Sequence, residues 1–437
     1  IQDAKNPDHG DFVSAFALGA AKECGIPPRQ IAQILREALL AADDLEAFQD
    51  IEIAGPGFLN MRLSPRFVSS YLPKILERGD ELACSSGESP KRIHVEFVSV
   101  NPNGPITVGS GRGAAFGDVL ASVLSATGEA VHREYYINDG VNSEQMRLFA
   151  ESVRASALNA ELPEGGYRGE YVKEVADRVL ELMDSIGSAV ARALEEMTHA
   201  SLERHSRLRR LAEALERLKD LRANLDARET VAAAETMDLK TVAEEIMTER
   251  QRAALEMFGT RFDSWFGEQY LHETGSVERA IEKLIEKGDA YWAERPEDQE
   301  AEPEDAGSGA ALWLRSTAYG DDKDRVIKRA DGRFTYLASD IAYLEDKLGR
   351  RDFDKSYIIL GPDHHGYIGR MNAVCRALGY PPDRFEIIIY QIVRFLKEGK
   401  PAPMRKRDGN IYELADLVSE LGAAAAPNTD LDEQLRI

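Results

Sequence analysis

Three segments of the sequence combine residue types at spacings that could do chemistry. Residues 94–113, HVEFVSVNPNGPITVGSGRG, place a glycine-rich loop between a β-rich run and a stretch of helix formers. Such a loop exposes backbone N–H groups at a helix N-terminus, which favours a phosphate, although glycine-rich strand-to-helix turns also occur as plain connections. Residues 361–370, GPDHHGYIGR, follow an apolar strand pattern and put Asp363, His364 and His365 at its C-terminal end, where open α/β sheets bind ligands. Two sequential histidines rarely share one metal ion, so a metal centre is not expected there. Residues 403–410, PMRKRDGN, form a basic turn beside glycine, which could equally be an ordinary surface loop.

The elements that must position these loops alternate between α and β. Residues 93–98 read as a strand, 112–128 as a helix and 130–137 as a second strand, the start of a doubly wound nucleotide-binding sheet. The β/α pattern resumes with strands at 311–314, 334–336 and 356–360. Upstream, residues 11–22 have a helical pattern, and Pro27-Pro28 suit the start of a second helix through Ala42. Residues 51–54 and 58–63 alternate like strands about the turn Gly55-Pro56-Gly57, and Ser85 to Pro90 reads as a polar linker. Residues 189–256 contain no Pro or Gly and suggest a hairpin of long helices. Within them, residues 204–222 carry seven Lys/Arg against three Asp/Glu, either a solvated helix face or a nucleic-acid contact. Residues 294–307 form an acidic, Pro-containing loop, and the residues after Gly422 show no convincing element.

Composition bounds what this chain can be. Its 437 residues suggest two or three domains, and 43% hydrophobic with 30% charged residues excludes a mainly disordered, collagen-like or membrane-embedded chain. No uninterrupted apolar run of about 18 residues and no leader pattern argues for a bilayer or for secretion. With 54 Lys plus Arg against 76 Asp plus Glu, the net charge of −22 repels nucleic acid over most of the surface. Cys24, Cys84 and Cys375 are widely spaced and form no C-x-x-C, so neither a zinc site nor a disulfide framework is expected, and a reducing cytoplasm is the default. The first residue is Ile1 rather than Met, which points to a missing start.

Taken together, the three loops resemble the class I arginyl-tRNA synthetases in order and spacing. Residues 6–63, from NPDHGDF to IAGPGFLNMRL, resemble the later part of that family's N-terminal additional domain. Residues 94–140 resemble the first half of its bacterial-type catalytic domain, and residues 321–347 and 360–370 the second half. The resemblance implies an α/β fold: a Rossmann-like class I catalytic domain with a long helical insertion, preceded by a small α+β domain. The expected division is 1–88 for the N-terminal domain, 89–185 for the first catalytic half, 186–256 for the insertion and 257–421 for the second half. Residues 422–437 would then be a stub where the anticodon-binding helical domain begins. The implied reaction joins arginine to ATP, with Mg2+, as an adenylate and moves the arginyl group to the terminal ribose of tRNA. Glu96 and Asn101 would hold the α-ammonium and neighbouring polar atoms, and Tyr336 and Asp340 the guanidinium. Five guanidinium donors need carboxylate or phenol acceptors in fixed geometry. Glu268 is a further candidate for that pocket, or else an exposed helix acid. Gly109, Gly111, Gly361, Asp363, His364, His365 and Met404 would line ATP.

Both ATP signatures depart from the family pattern. H-I-G-H or H-V-G-H becomes Thr107-Val108-Gly109-Ser110, so Thr107 and Ser110 can donate hydroxyl hydrogen bonds but carry no charge. Losing one oriented donor typically costs about 10²–10³ in rate. K-M-S-K-R becomes Pro403-Met404-Arg405-Lys406-Arg407, which keeps Lys406 and adds the charge of Arg405. Three readings follow: an arginine–tRNA ligase, a paralogue that activates arginine or a similar amino acid for a non-tRNA acceptor, and a non-catalytic arginine-binding or regulatory module. The expected partners are arginine, ATP and tRNA, in the cytoplasm, with no membrane.

Overall fold

The computed structural model describes residues 1–79, 89–140, 143–294, 309–391, 393, 396–397, 400–401 and 411–425. They fall into two compact units, Ile1–Ser85 and Ser86–Ile437. In the first, strands Gln2–Asp3, Phe12–Ser14, Phe58–Leu63 and Phe48–Ala54 lie side by side in an antiparallel sheet. Helices Phe16–Cys24 and Pro28–Ala41 cover it, burying Ala17, Ile31, Ala32, Ile51, Leu59 and Met61 in one core. The helix expected from residue 11 therefore begins at Phe16. Residues 12–14 pair instead with Leu59–Met61, and the Asp11 carboxylate accepts the Leu63 N–H at 2.7 Å. Ladder hydrogen bonds and burial here outweigh local helix propensity.

The second unit is built on a five-stranded parallel sheet. Its spatial order is Phe385–Ile389, Lys355–Leu360, Arg92–Glu96, Ala130–Ile137, Ser264–Gly267. Numbered along the chain this is 5-4-1-2-3, the doubly wound order, with its reversal between Arg92–Glu96 and Lys355–Leu360. Ligands bind such sheets beyond the carboxyl ends of the strands at that reversal, where both sequence-predicted loops emerge. The helix Val108–Ala126 lies flush on one sheet face: a Cβ on Gly117 would come within 2.2 Å of the Phe97 ring. It starts four residues earlier than the sequence pattern suggests, so residues 108–111 are its first turn rather than loop.

Between the second and third strands lies a helical bundle. Residues 189–256 are not a simple hairpin but four helices, Ile186–Met197, Leu202–Arg222, Ala227–Ala233 and Thr236–Met257. A capping box at Asp226, with Glu229, starts the short third helix and breaks the run without Pro or Gly. Helices Glu144–Leu158 and Glu170–Asp184 share the same apolar core. A small antiparallel sheet of Ala290–Ala293, Ala311–Leu314 and Arg325–Lys328 follows. Phe334-Thr335-Tyr336 is not the expected strand. Only an isolated bridge joins Phe334 to Lys328, the Thr335 hydroxyl donates to Val326 O, and Tyr336 begins the helix Tyr336–Glu345. Helix Leu414–Ala425 carries order past Gly422. Among the described residues no helix is long and apolar enough to cross a membrane. Cys24 is an exposed and Cys375 a buried free thiol; Cys84 and most of the acidic loop 294–307 lie outside the described residues.

Candidate active site

Carboxylates from three elements converge at the C-terminal edge of the parallel sheet. Glu96 ends the first strand, Glu268 follows the third, and Asp340 lies in the second turn of the helix Tyr336–Glu345. All three charges act on the hydroxyl of Tyr136, which is pushed far above its usual range first by burial and then by Glu268, Asp340 and Glu96. Glu268 is only 7% exposed, so the alternative of an exposed helix acid is excluded. Its Oε1 accepts the Ser339 hydroxyl at 2.9 Å, and His272 Nε2 stands 3.1 Å from that hydroxyl and 3.7 Å from Oε1. A cavity of about 490 Å³ opens beside it, with Glu268, His272, Ser339 and Tyr336 among its lining. Tyr336 is 70% exposed and presents its ring to solvent rather than to a closed pocket.

Asp340 accepts a hydrogen bond from Tyr367. Burial, reinforced by the charges of Glu268 and Glu96, nonetheless pushes its carboxyl up to about 7, against the pull of Tyr367 and Arg370. A half-buried acid among other acids is left with more negative charge around it than Arg370 offsets. Glu96 has one already: Lys347 Nζ lies 2.6 Å from its Oε2, with both side chains buried, and 3.6 Å above the Tyr343 ring. Any ligand ammonium at Glu96 therefore shares that carboxylate with Lys347. Asn101 sits in a loop held by its backbone. Val98 and Ser99 have positive φ, 68° and 44°, and the Asn101 amide donates to Gln145 at 3.2 Å. Left-handed backbone at two non-glycine residues stores strain, as functional loops often do.

Thr107 and Ser110 lie at the N-terminus of the helix Val108–Ala126, their hydroxyls 3.5 Å apart. The Val108 N–H is taken by Tyr412 O and the Ser110 N–H by Thr107 O, so of the first three helical residues Gly109 alone has no such backbone partner among the described residues. The Gly111 N–H donates to Thr107 O, and a Cβ there would meet Leu414 at 2.8 Å. Gly361 ends the strand Lys355–Leu360, and residues 362–364 form a single turn before the helix His365–Leu378. The adjacent histidines diverge. His364 meets the Tyr367 ring edge-on at 6.4 Å, while His365 lines an open cavity with Lys323 and Arg370. The side chain of Asp363, and all of Met404, Arg405 and Lys406, lie outside the described residues.

Two features were missed by the sequence reading. One is a buried polar face on the sheet, leading to the carboxylates. Glu134 is fully buried and takes His94 at 2.8 Å, Ser264 at 2.6 Å, Tyr343 at 2.5 Å and both Arg351 nitrogens at 2.6 and 2.8 Å. Burial opposes its ionisation, but Arg351 and the two nearby histidines hold it well below the usual carboxylate range; burial pushes His94 down to about 3. The signal was the period-2 run His132, Glu134, Tyr136, which reads as an exposed strand face. The other is the fate of the basic helix 204–222. Its seven cations are all ion-paired within the chain, among them Arg207 to Glu245, Arg210 to Asp139 and Arg217 to Asp238. Arg207 and Arg210 are mostly buried in these pairs, while Arg209, Arg217 and Lys219 stay about half exposed.

Known proteins match this architecture along nearly the whole chain. The family model "Arginyl tRNA synthetase N terminal domain" matches residues 1–63, and "tRNA synthetases class I (R), catalytic domain" matches residues 303–434. The arginine–tRNA ligase of Kineococcus radiotolerans is 37% identical over 427 residues, 98% of this chain and 66% of the relative. That of Bifidobacterium animalis subsp. lactis is 36% identical over 425 residues, 97% of this chain and 64% of the relative. The chain thus spans just under two thirds of the length of these curated relatives. A crystal structure assigned to an arginyl-tRNA synthetase of Campylobacter jejuni aligns with a TM-score of 0.60 at 30% identity, over 83% of this chain and 67% of that one. The Thermus thermophilus arginyl-tRNA synthetase shares the fold, with a TM-score of 0.62 at 21% identity, over 99% of this chain and 69% of that one. Sheet order, the placement of the two loops and these likenesses agree: the chain belongs to the class I arginyl-tRNA synthetase family.

Proposed function

We propose that this chain carries the arginine-activating site of an arginine–tRNA ligase. The observation that carries the reading is that the charges of Glu96, Glu268 and Asp340 act together on Tyr136 at the sheet's carboxyl edge, where Glu268 also lines a cavity. Asp340 and Glu268 take the guanidinium, with the Tyr336 ring at the cavity mouth. Glu96 and Asn101 take the α-ammonium, with Lys347 limiting how much positive charge Glu96 attracts. One oxygen of the arginine carboxylate attacks the α-phosphorus of ATP and pyrophosphate leaves; a ribose hydroxyl of tRNA then displaces AMP from the arginyl carbonyl. Thr107, Gly109 and Ser110 at the helix N-terminus serve the phosphates and Gly361 and His364 the nucleoside; the further roles that the resemblance gives Asp363, Met404, Arg405 and Lys406 fall on side chains outside the described residues. Gly111 supports that helix turn by letting Leu414 approach, and His365 belongs to the outer rim. Among the described residues no three His, Cys, Asp or Glu side chains are grouped for a metal ion, so Mg2+ would arrive on the ATP phosphates.

Arginine-dependent ATP–pyrophosphate exchange, with and without total tRNA, tests the reading. Exchange that requires tRNA supports it. Exchange without tRNA points to a different acceptor. Silence in both arms, with arginine still bound, overturns the enzymatic reading and leaves a binding module.

A further inference from the structure

We propose that Arg252, Arg261 and Trp265 form a binding site for a small phosphate-type anion, at the end of the sheet away from the carboxylate pocket. Strand Ser264–Gly267 runs between the two: Glu268 follows its C-terminal end, while a separate cavity of about 220 Å³ lies at its N-terminal end. That cavity is lined by Arg204, Arg252, Arg261 and Trp265, with Glu256 and Asp263 at its sides. Its size is below the roughly 300 Å³ at which drug-sized pockets begin, and suits one oxyanion with its waters rather than a nucleotide.

The electrostatics of this cavity favour an anion. Arg252, on the helix Thr236–Met257, is half-buried with its guanidinium 4.9 Å above the Trp265 ring. Trp265 is itself stacked on Tyr135 at 4.1 Å, so the platform under the guanidinium is firmly held. Among the described residues Arg252 forms no hydrogen bond and no ion pair, and its Nε is buried without a partner. Arg261 is exposed and likewise makes neither. Arg204 is committed to Glu196 at 2.6 Å, and Asp263 accepts the Arg133 N–H at 2.7 Å. Glu256 is exposed and pairs with no cation among the described residues. Burial, then repulsion from Arg207 and Arg204, pulls the Arg252 guanidinium below its usual range despite the attraction of Glu245 and Glu256, a cost that a bound anion relieves. Two unpaired guanidinium forks match the oxygens of a phosphate better than a spherical halide. In a chain of net charge −22 such a pocket is a local exception to a surface that repels anions.

Tryptophan fluorescence, read while inorganic phosphate is titrated at constant ionic strength, tests the site through Trp265. The expected result is a saturable change in the wild-type chain, weakened at least about tenfold in Arg252→Gln and in Arg261→Gln and partly restored in Arg252→Lys. Arg261 is exposed, so its variant separates lost binding from lost folding. A response matched by chloride, or one that neither glutamine variant alters, overturns the proposal and marks general screening or phosphate bound elsewhere. A short single-stranded RNA that perturbs the signal where inorganic phosphate does not overturns it in favour of a nucleic-acid contact.

Discussion

Replacing Asp340 by asparagine removes one charge from the proposed guanidinium site while keeping the side-chain shape. Asp340 is half-buried, faces Glu268, Glu96, Tyr367 and Arg370, and its carboxyl is pushed up to about 7 in the unliganded chain. Arginine binds the ionised form and lowers that value further, so between about pH 7 and pH 5 each bound arginine must expel a proton. Wild-type affinity therefore falls by about tenfold per pH unit on acidification in that window, and levels off above pH 7. The same shift acts on folding with the opposite preference. The folded carboxyl keeps its proton up to about 7 while an unfolded one releases it near 3.8, so this group favours the folded state more as pH falls through that interval. At pH 8, Asp340→Asn removes a desolvated charge partner, a loss of roughly 2–5 kcal/mol or about 30- to 5,000-fold in affinity. It also flattens the pH dependence. Titration calorimetry with arginine at several pH values measures both effects. A wild-type affinity unchanged between pH 5 and 8, or an asparagine variant that keeps the slope, would refute the assignment of Asp340 to the guanidinium.

Three further outcomes follow from other parts of the molecule. Gly117→Ala drives a methyl into the Phe97 ring, where the Cβ would sit 2.2 Å from a ring carbon, and should cost about 1–3 kcal/mol, seen as a lower unfolding midpoint in denaturant. A midpoint equal to wild type would show that the helix slides off the sheet without cost. Arg351→Met leaves Glu134 fully buried without its main cation and should destabilise by about 3–5 kcal/mol, more than a methionine on the surface could. That loss should shrink when Glu134→Gln is added, and purely additive losses would show that the two groups do not act as a pair. Restoring histidine at Thr107 and Ser110 together should raise the pyrophosphate-exchange rate by at least about 10²-fold, since each supplies an oriented donor for the phosphates. If the double variant is no faster, the hydroxyls at the head of the helix Val108–Ala126 are not where the phosphates are stabilised.

What could be read from sequence here depended on how local the cause was. The strand, loop and helix of residues 92–126 were legible because a β-rich run, a Pro/Gly loop and a run of small helix formers follow one another without competition. Asp340 and Tyr336 were named only through the family resemblance; the structure puts them four residues apart on one helix, a spacing that one helix turn brings to the same face. Residues 12–14 were misread because their partners, Leu59–Met61, lie more than forty positions away and supply the ladder that decides their conformation. The charges were least legible of all. Seven cations in residues 204–222 gave no hint that each faces a carboxylate of its own bundle or of a neighbouring element, and His94 and Glu134 look like surface residues of an alternating strand. Side-chain polarity predicts exposure only when no complementary group waits in the fold, and here it waits at the end of the helix Tyr336–Glu345 and just beyond it: Tyr343, Lys347 and Arg351. That one stretch of chain binds Glu134 and Glu96 on its inner side and carries Asp340 one or two turns earlier. The buried ion pairs therefore fix the helix against the sheet beside Asp340, where the proposed guanidinium site needs a fixed geometry. A polar layer that costs desolvation energy in an ordinary core here serves to hold the site in register.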